Sequence, residues 1–269
     1  LFVCADNGIG YYDAKGELIN IDTGDFNSSI DHMTADYQGN LWFVSSRQGI
    51  LRLSKSAFTQ LYNTYNTDSS VVNTVTWWND GFYIGTDNGL YVSKDENTNT
   101  EGRCITPVID ALNGVRIRCI KEDSKGNLWI CTSGAGVYKL TIDGGVKKYD
   151  KSNGLNGERY RTVTELSDNT ILVAGDSGMS FIKNDDSVYN MGPQMINVKV
   201  LCTLQADDKT IFAGTDGNGI EVIRDGVIVG NFGKDEGLSS EVILRMVEDS
   251  SGDGIFIVTS NSICYMDKT

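Results

Sequence analysis

Histidine and proline are nearly missing from this chain: one histidine, His32, and two prolines in 269 residues. A single imidazole removes most zinc chemistry, which draws on several His and Cys ligands. The six cysteines (Cys4, Cys104, Cys119, Cys131, Cys202 and Cys264) form no C-x-x-C pair and no metal-ligand spacing, so they are read as buried thiols. No apolar run approaches the roughly 18 residues of a membrane span, and no basic start leads into an apolar stretch as in a signal peptide. Basic residues are too few for a nucleic-acid binder, since the formal charge is -13 and phosphate backbones are held by Lys and Arg. Nucleophile-elbow, P-loop and dinucleotide motifs are all absent, and no cofactor is expected. Long amphipathic helical patterns are lacking too, which leaves an all-β chain whose 40% hydrophobic residues suffice for a core.

What is present is one pattern, repeated. "GNLWFVSSRQGILRL" (39–53), "GNLWICTSGAGVYKL" (126–140) and "TIFAGTDGNGIEVI" (210–223) share a bulky anchor, a small-residue strand, a Gly turn and a second strand. The same frame fits four further segments, with anchors at Phe2, Trp42, Tyr83, Trp129, Leu172, Phe212 and Phe256. Spacings of 40 to 46 residues suit a four-stranded blade, so the expected fold is a seven-bladed β-propeller. Its first blade lacks the innermost strand and its last the outermost. The expectation is a single propeller domain over 1–269, part of a longer protein, since the chain opens on the apolar strand Leu1-Phe2-Val3 and closes just after another.

Two residues beyond each anchor stand Cys4, Val44, Gly85, Cys131, Ala174, Gly214 and Val258, small or apolar as a strand wedged between blades requires. Cys119 and Cys202 hold the same position two repeats apart, with a blade between them, and are expected not to bridge. Asp6-Asn7-Gly8 and Asp87-Asn88-Gly89 are read as tight turns whose residues accept positive φ. "DGNGIE" (216–221) is read as a hairpin turn rather than a calcium loop, which would need further ligands.

"EDSKGNLWICTSGAGVYKL" and "ADYQGNLWFVSSRQGILRL" resemble the two-component regulator propeller repeat, strongly in the second and fourth copies and more weakly in the first and fifth. The resemblance implies a sensor region on the periplasmic or extracellular face of a membrane-anchored bacterial receptor, with a kinase or cyclase output module elsewhere in the protein. It carries over no ligand residue. Asp36, Gly39 and Trp42, with Asp123, Gly126 and Trp129, also resemble the Asp-box of sialidases. There the carboxylate accepts turn amides while the Trp anchors the strand, a folding device rather than an active site.

Departures from the repeat mark the candidate site. Counting back from the anchors, Arg116 and Arg118 in the fourth repeat match Arg159 and Arg161 in the fifth, and Lys199 follows in the sixth. The second and third repeats offer Ser29, Asp31, Ser70 and Val72 instead. A spacing of two puts each Arg pair on one strand face, near the mouth of a propeller channel. These five cations either pair with acids such as Glu122, Glu158 and Glu165 or recognise an anionic small molecule, since Arg forks grip carboxylates. Tyr62, Tyr65, Trp77, Trp78 and Tyr160 are candidates to stack on a sugar or to fill gaps between blades. A triad on Asp31 and His32 is disfavoured because adjacent strand residues point to opposite faces.

The expected function is therefore a non-catalytic ligand-sensing propeller. Its partners would be a small-molecule ligand such as an acidic sugar or other carboxylate, flanking propeller or signalling domains, and a second copy in a homodimer. The competing readings are a sialidase-like or lyase-like carbohydrate enzyme, which would need paired acids or a Tyr nucleophile beside the cations, and a protein-interaction scaffold.

Overall fold

The structure, a computed structural model, describes residues 2–5, 8–54, 71–94, 109–192, 195 and 198–267. They group into two compact units, Leu1–Gln60 and Leu61–Thr269. Every sheet is an antiparallel meander in sequence order. The first unit holds β1 (Phe2–Ala5), β2 (Gly8–Tyr12) and β3 (Leu18–Ile21) in one sheet, and β4 (Ile30–Ala35), β5 (Leu41–Ser45) and β6 (Gly49–Leu53) in another.

The second unit opens with β7 (Val72–Trp78), β8 (Gly81–Thr86) and β9 (Leu90–Lys94). Three four-stranded sheets follow. They are β10 (Ile117–Glu122), β11 (Leu128–Thr132), β12 (Val137–Leu140) and β13 (Val146–Tyr149); β14 (Tyr160–Glu165), β15 (Ile171–Gly175), β16 (Gly178–Ile182) and β17 (Val188–Asn190); and β18 (Val200–Gln205), β19 (Ile211–Thr215), β20 (Ile220–Arg224) and β21 (Val227–Phe232). The last sheet is β22 (Ile243–Glu248), β23 (Gly254–Thr259) and β24 (Ile263–Asp267). Outer strands expected for the second and third repeats lie outside the described residues. Helical structure among the described residues is confined to the 3-10 turns Asp110–Leu112 and Lys151–Asn153 and to Met195.

The anchors fall on the strand expected of them. β11 shows why that strand is apolar throughout: Leu128 and Ile130 enter the core shared with the β7–β9 sheet, while Trp129 and Cys131 enter the core shared with the β14–β17 sheet. A strand covered on both faces reads as a continuous hydrophobic run, not as an alternation. β15 repeats the arrangement, with Ile171 and Val173 in one core and Leu172 and Ala174 in the next. Exposure follows the covering: Trp129 and Leu172 are buried, whereas Phe256, on a face that no other sheet of its unit covers, stands 42% exposed.

The demand for small residues two places on is borne out most sharply at Gly85 and Gly214. A Cβ on Gly85 would lie 2.6 Å from Ile117 Cγ2 of the next sheet, and one on Gly214 would lie 2.7 Å from Ile243 Cγ2. Val44, in the first unit, departs from this and is 38% exposed.

Turn chemistry is partly as read. Asp36 and Asp123 close their turns as expected. Asp123 accepts from the Lys125 and Asn127 amides at 3.0 and 2.8 Å and from Trp129 Nε1 at 2.7 Å, and Asp36 binds Gln38, Asn40 and Trp42 alike at 2.9 Å. At 87–89 the expectation needs correction. Only Gly89 has positive φ (144°), because Thr86 Oγ1 accepts from the Asn88 amide and holds that turn. The positive-φ pair is Asn79 and Asp80, at 43° and 59°, in the two-residue loop between β7 and β8. Asp6 and Asn7 lie outside the described residues. The 216–221 segment is the β19–β20 hairpin, tied by Thr215 Oγ1 donating to Gly219 O at 2.8 Å.

Candidate functional site

Six inner strands (β4, β7, β10, β14, β18 and β22) carry a β-bulge at one equivalent place. The extra residues are Asp31, Asn73, Arg118, Arg161, Leu201 and Leu244. A bulged residue leaves the ladder and its side chain is re-aimed. This corrects the simple alternation expected for the Arg pairs: Arg118 and Arg161 are the bulged residues, while Arg116 and Arg159 directly precede β10 and β14. It also moves the third repeat's positions from Ser70 and Val72 to Val71 and Asn73, because the β7–β8 loop is only two residues long.

The residue that follows each anchor strand sits beside this bulge. Ser46, Asp87, Ser133, Asp176, Asp216 and Ser260 donate their amides to Ser29, Val71, Arg116, Arg159, Lys199 and Val242 respectively. In three of the six repeats the bulged side chain then bonds to the same residue. Asp31 Oδ2 accepts from Ser46 N at 3.0 Å, Asn73 Nδ2 donates to Asp87 Oδ1 at 2.8 Å, and Arg161 Nε donates to Asp176 Oδ1 at 2.8 Å. The same residue touches the next sheet as well: Ser133 bridges to Arg159, and Asp216 to Val242.

This geometry sorts the five predicted cations. Arg116 Nη2 lies 2.5 Å from Asp87 Oδ2 of the preceding sheet, Arg161 is held by Asp176, and Lys199 pairs with Asp216. The partners are thus aspartates at strand ends, not the glutamates considered from sequence; Glu165 instead accepts from the Ser124 amide at 2.7 Å. Arg118 and Arg159 are different. Neither has a hydrogen bond or ion pair from its guanidinium among the described residues, Arg159 is exposed, and Arg118 Nε is buried without a partner.

Burial, and after it the neighbouring guanidinium groups of Arg161 and Arg116, press the Arg118 pKa down, against the pull of Asp87 and Asp176. It remains a cation, since guanidinium groups do not lose their proton in proteins. Hydrogen bonds from Asn73 and then Arg116 hold the Asp87 carboxyl below its usual range.

Other sequence candidates divide cleanly. Trp78 is buried, with Nε1 donating to Gly126 O of the next sheet at 2.9 Å, and Tyr160 is buried, donating to Asn156 Oδ1 at 2.9 Å. Both fill gaps between sheets rather than offering a stacking face. Trp77 is 49% exposed, and Tyr62 and Tyr65 lie outside the described residues. His32 is exposed on β4, and Asp31 is committed to Ser46.

Cys119 sits directly opposite Cys131 in the β10–β11 ladder, while Cys202 lies on β18 in another sheet. Cys104 lies outside the described residues. Sequence reasoning missed a cavity of about 500 Å³ lined by Phe212, Val222, Phe232 and Met266 together with Asp208 and Arg224. Its only sequence signal was the bulky anchor Phe212, which served the fold argument.

Residues 111–134, which run from the start of this cluster through Ser133, match the two-component regulator propeller family. The chain carries a two-component regulator propeller repeat. No curated protein matches the chain.

Among solved structures, one described as the extracellular domain of a hybrid two component system, BT3049, from B. thetaiotaomicron is similar at 18% identity and a TM-score of 0.60. The match covers 99% of this chain and 37% of that one, so the chain spans little more than a third of that protein. Streptogramin B lyase is similar at 13% identity and TM-score 0.56, over 96% of this chain and 85% of that one. Virginiamycin B lyase from Staphylococcus aureus follows at 14% and 0.54, over 87% and 83%. The fold is therefore an all-β propeller, with the two-component regulator propeller repeat written into its fourth sheet in chain order.

Proposed function

We propose that this chain is a non-catalytic, ligand-sensing propeller of a bacterial membrane signalling receptor. It stands on the periplasmic or extracellular face and passes ligand occupancy to a kinase or cyclase module of the same protein. The observation that carries the reading is the two-component regulator propeller match over 111–134, the stretch that also holds Arg116, Arg118 and Ser133. Likeness in fold to an extracellular domain of a hybrid two component system supports the same placement. No helix among the described residues is long and apolar enough to cross a membrane. The ligand site of this reading is the cluster of Arg116, Arg118, Arg159, Arg161 and Lys199. A ligand that binds one arrangement of the flanking segments better than another shifts the receptor between states.

The lyase-like enzyme reading draws on fold alone. A histidine-to-alanine variant of the S. aureus lyase is catalytically inactive, whereas the single histidine here, His32, is exposed on β4.

Thermal melts of the chain with neutral and acidic sugars, each mixture then assayed for conversion, test the proposal. A melting point raised by at least one sugar that is recovered unchanged supports it. Conversion of the sugar would replace it with the enzyme reading. A flat response to every sugar, together with a co-purifying protein, would replace it with the scaffold reading.

A further inference from the structure

In the third, fifth and sixth repeats the residue after the anchor strand is an aspartate that neutralises a cation: Asp87 for Arg116, Asp176 for Arg161 and Asp216 for Lys199. In the fourth repeat that residue is Ser133. Two arginines address this one position. Arg118 is the bulged residue of the same sheet, as Arg161 is to Asp176. Arg159 precedes the inner strand of the following sheet, as Arg116 does relative to Asp87, and its backbone bridges to Ser133. These are the two arginines of the cluster left without a partner, and the Arg118 Nε is buried and orphaned.

A buried charged donor without an acceptor is costly, and native structures rarely leave one so. Ser133 itself is half-buried, with exposed Gly134 beside it, so the position is open from outside.

We propose that the place a carboxylate takes in the neighbouring repeats is filled here by the carboxylate of a small-molecule ligand, held between Arg118 and Arg159 over Ser133. This rests on the ligand-sensing reading and specifies its ligand. The flanking cations Arg116 and Arg161 are already neutralised by Asp87 and Asp176, which leaves Arg118 and Arg159 as the two cations to hold the ligand. The group that the third, fifth and sixth repeats place there is a planar carboxylate, which an Arg fork can grip in parallel pairs of hydrogen bonds.

Titration calorimetry with D-glucuronate, with D-glucose as its neutral counterpart and inorganic phosphate as a non-planar anion, tests this. Wild-type chain is expected to bind glucuronate, and glucose and phosphate at least about tenfold more weakly. Arg118→Ala and Arg159→Ala should each weaken glucuronate about tenfold or more, the value of losing a charged hydrogen bond, while Lys234→Ala leaves it unchanged.

The decisive variant is Ser133→Asp. It supplies the carboxylate that the third, fifth and sixth repeats carry at this place, so it should abolish glucuronate binding and raise the melting point of the unliganded chain. Glucuronate binding undiminished by Ser133→Asp would overturn the site. Tighter binding of phosphate than of glucuronate would overturn the carboxylate assignment. A wild-type response to glucose equal to that to glucuronate would overturn it while leaving the sensor reading intact. No response to any sugar in the wild-type chain is the result that brings down the sensor reading itself.

Discussion

Replacing Trp129 with alanine removes the largest side chain at the centre of the core between the β10–β13 and β14–β17 sheets. The indole is 3% exposed, lies 5.5 Å from the Tyr149 ring at an interplanar angle of 29°, and has Lys139 Nζ 5.4 Å above it. Large-to-small changes of this kind cost about 3 to 5 kcal/mol, because the lost burial is compounded by a cavity the sheets cannot close. The Nε1 bond to Asp123 is lost too, yet Asp123 keeps Asn127 Nδ2 at 2.9 Å and the two turn amides, so no buried carboxylate is stranded.

Trp129→Phe separates the terms: it retains most of the volume and loses the N–H, and should cost about 1 to 3 kcal/mol. With an m-value of about 2 to 3 kcal/mol/M, Trp129→Ala should lower the urea midpoint by about 1 to 2.5 M, read by far-ultraviolet circular dichroism. A shift from Trp129→Ala no larger than that from Trp129→Phe would show that packing between sheets is not what the anchor supplies.

Two further outcomes follow from the turns and the wedge positions. The Asp36 carboxyl is pulled down to about 2 by hydrogen bonds from Trp42 and Asn40. Asp123 is also lowered: burial pushes it up, but bonds from Asn127 and Trp129 outweigh that. Folded pKa values below the unfolded value of about 3.9 mean stability that is present above about pH 4 and lost as pH falls toward 2. Asp36→Asn with Asp123→Asn should flatten that acid limb in urea midpoints measured from pH 7 to pH 2.5, and an unchanged slope would refute the linkage. Gly214→Ala should lower the melting point through contact with Cys202 Sγ at 2.6 Å and Ile243 Cγ2 at 2.7 Å, whereas Gly230→Ala, with nothing within 4 Å, should not. Equal shifts in the two variants would remove the case for a wedge.

The repeat, the strand order within it and the residues that pack between sheets were all legible along the chain. Each of these rests on local rules: a strand covered on both faces must be apolar throughout, as at β11 and β15, and a turn closed by Asp36 or Asp123 needs its Asn and Trp at fixed offsets. Position relative to the anchors also picked out Arg116, Arg118, Arg159, Arg161 and Lys199 as departures from the repeat.

Which of them are free was decided by tertiary structure alone. The bulge that takes Arg118 and Arg161 out of alternation depends on pairing across two strands. The neutralising partners Asp87, Asp176 and Asp216 lie 15 to 29 residues away in sequence and, for Arg116, in another sheet. Electrostatic pairing acts through space, so a serine at 133 in place of an aspartate means nothing along the chain. It acquires meaning only when the fold sets two arginines beside it.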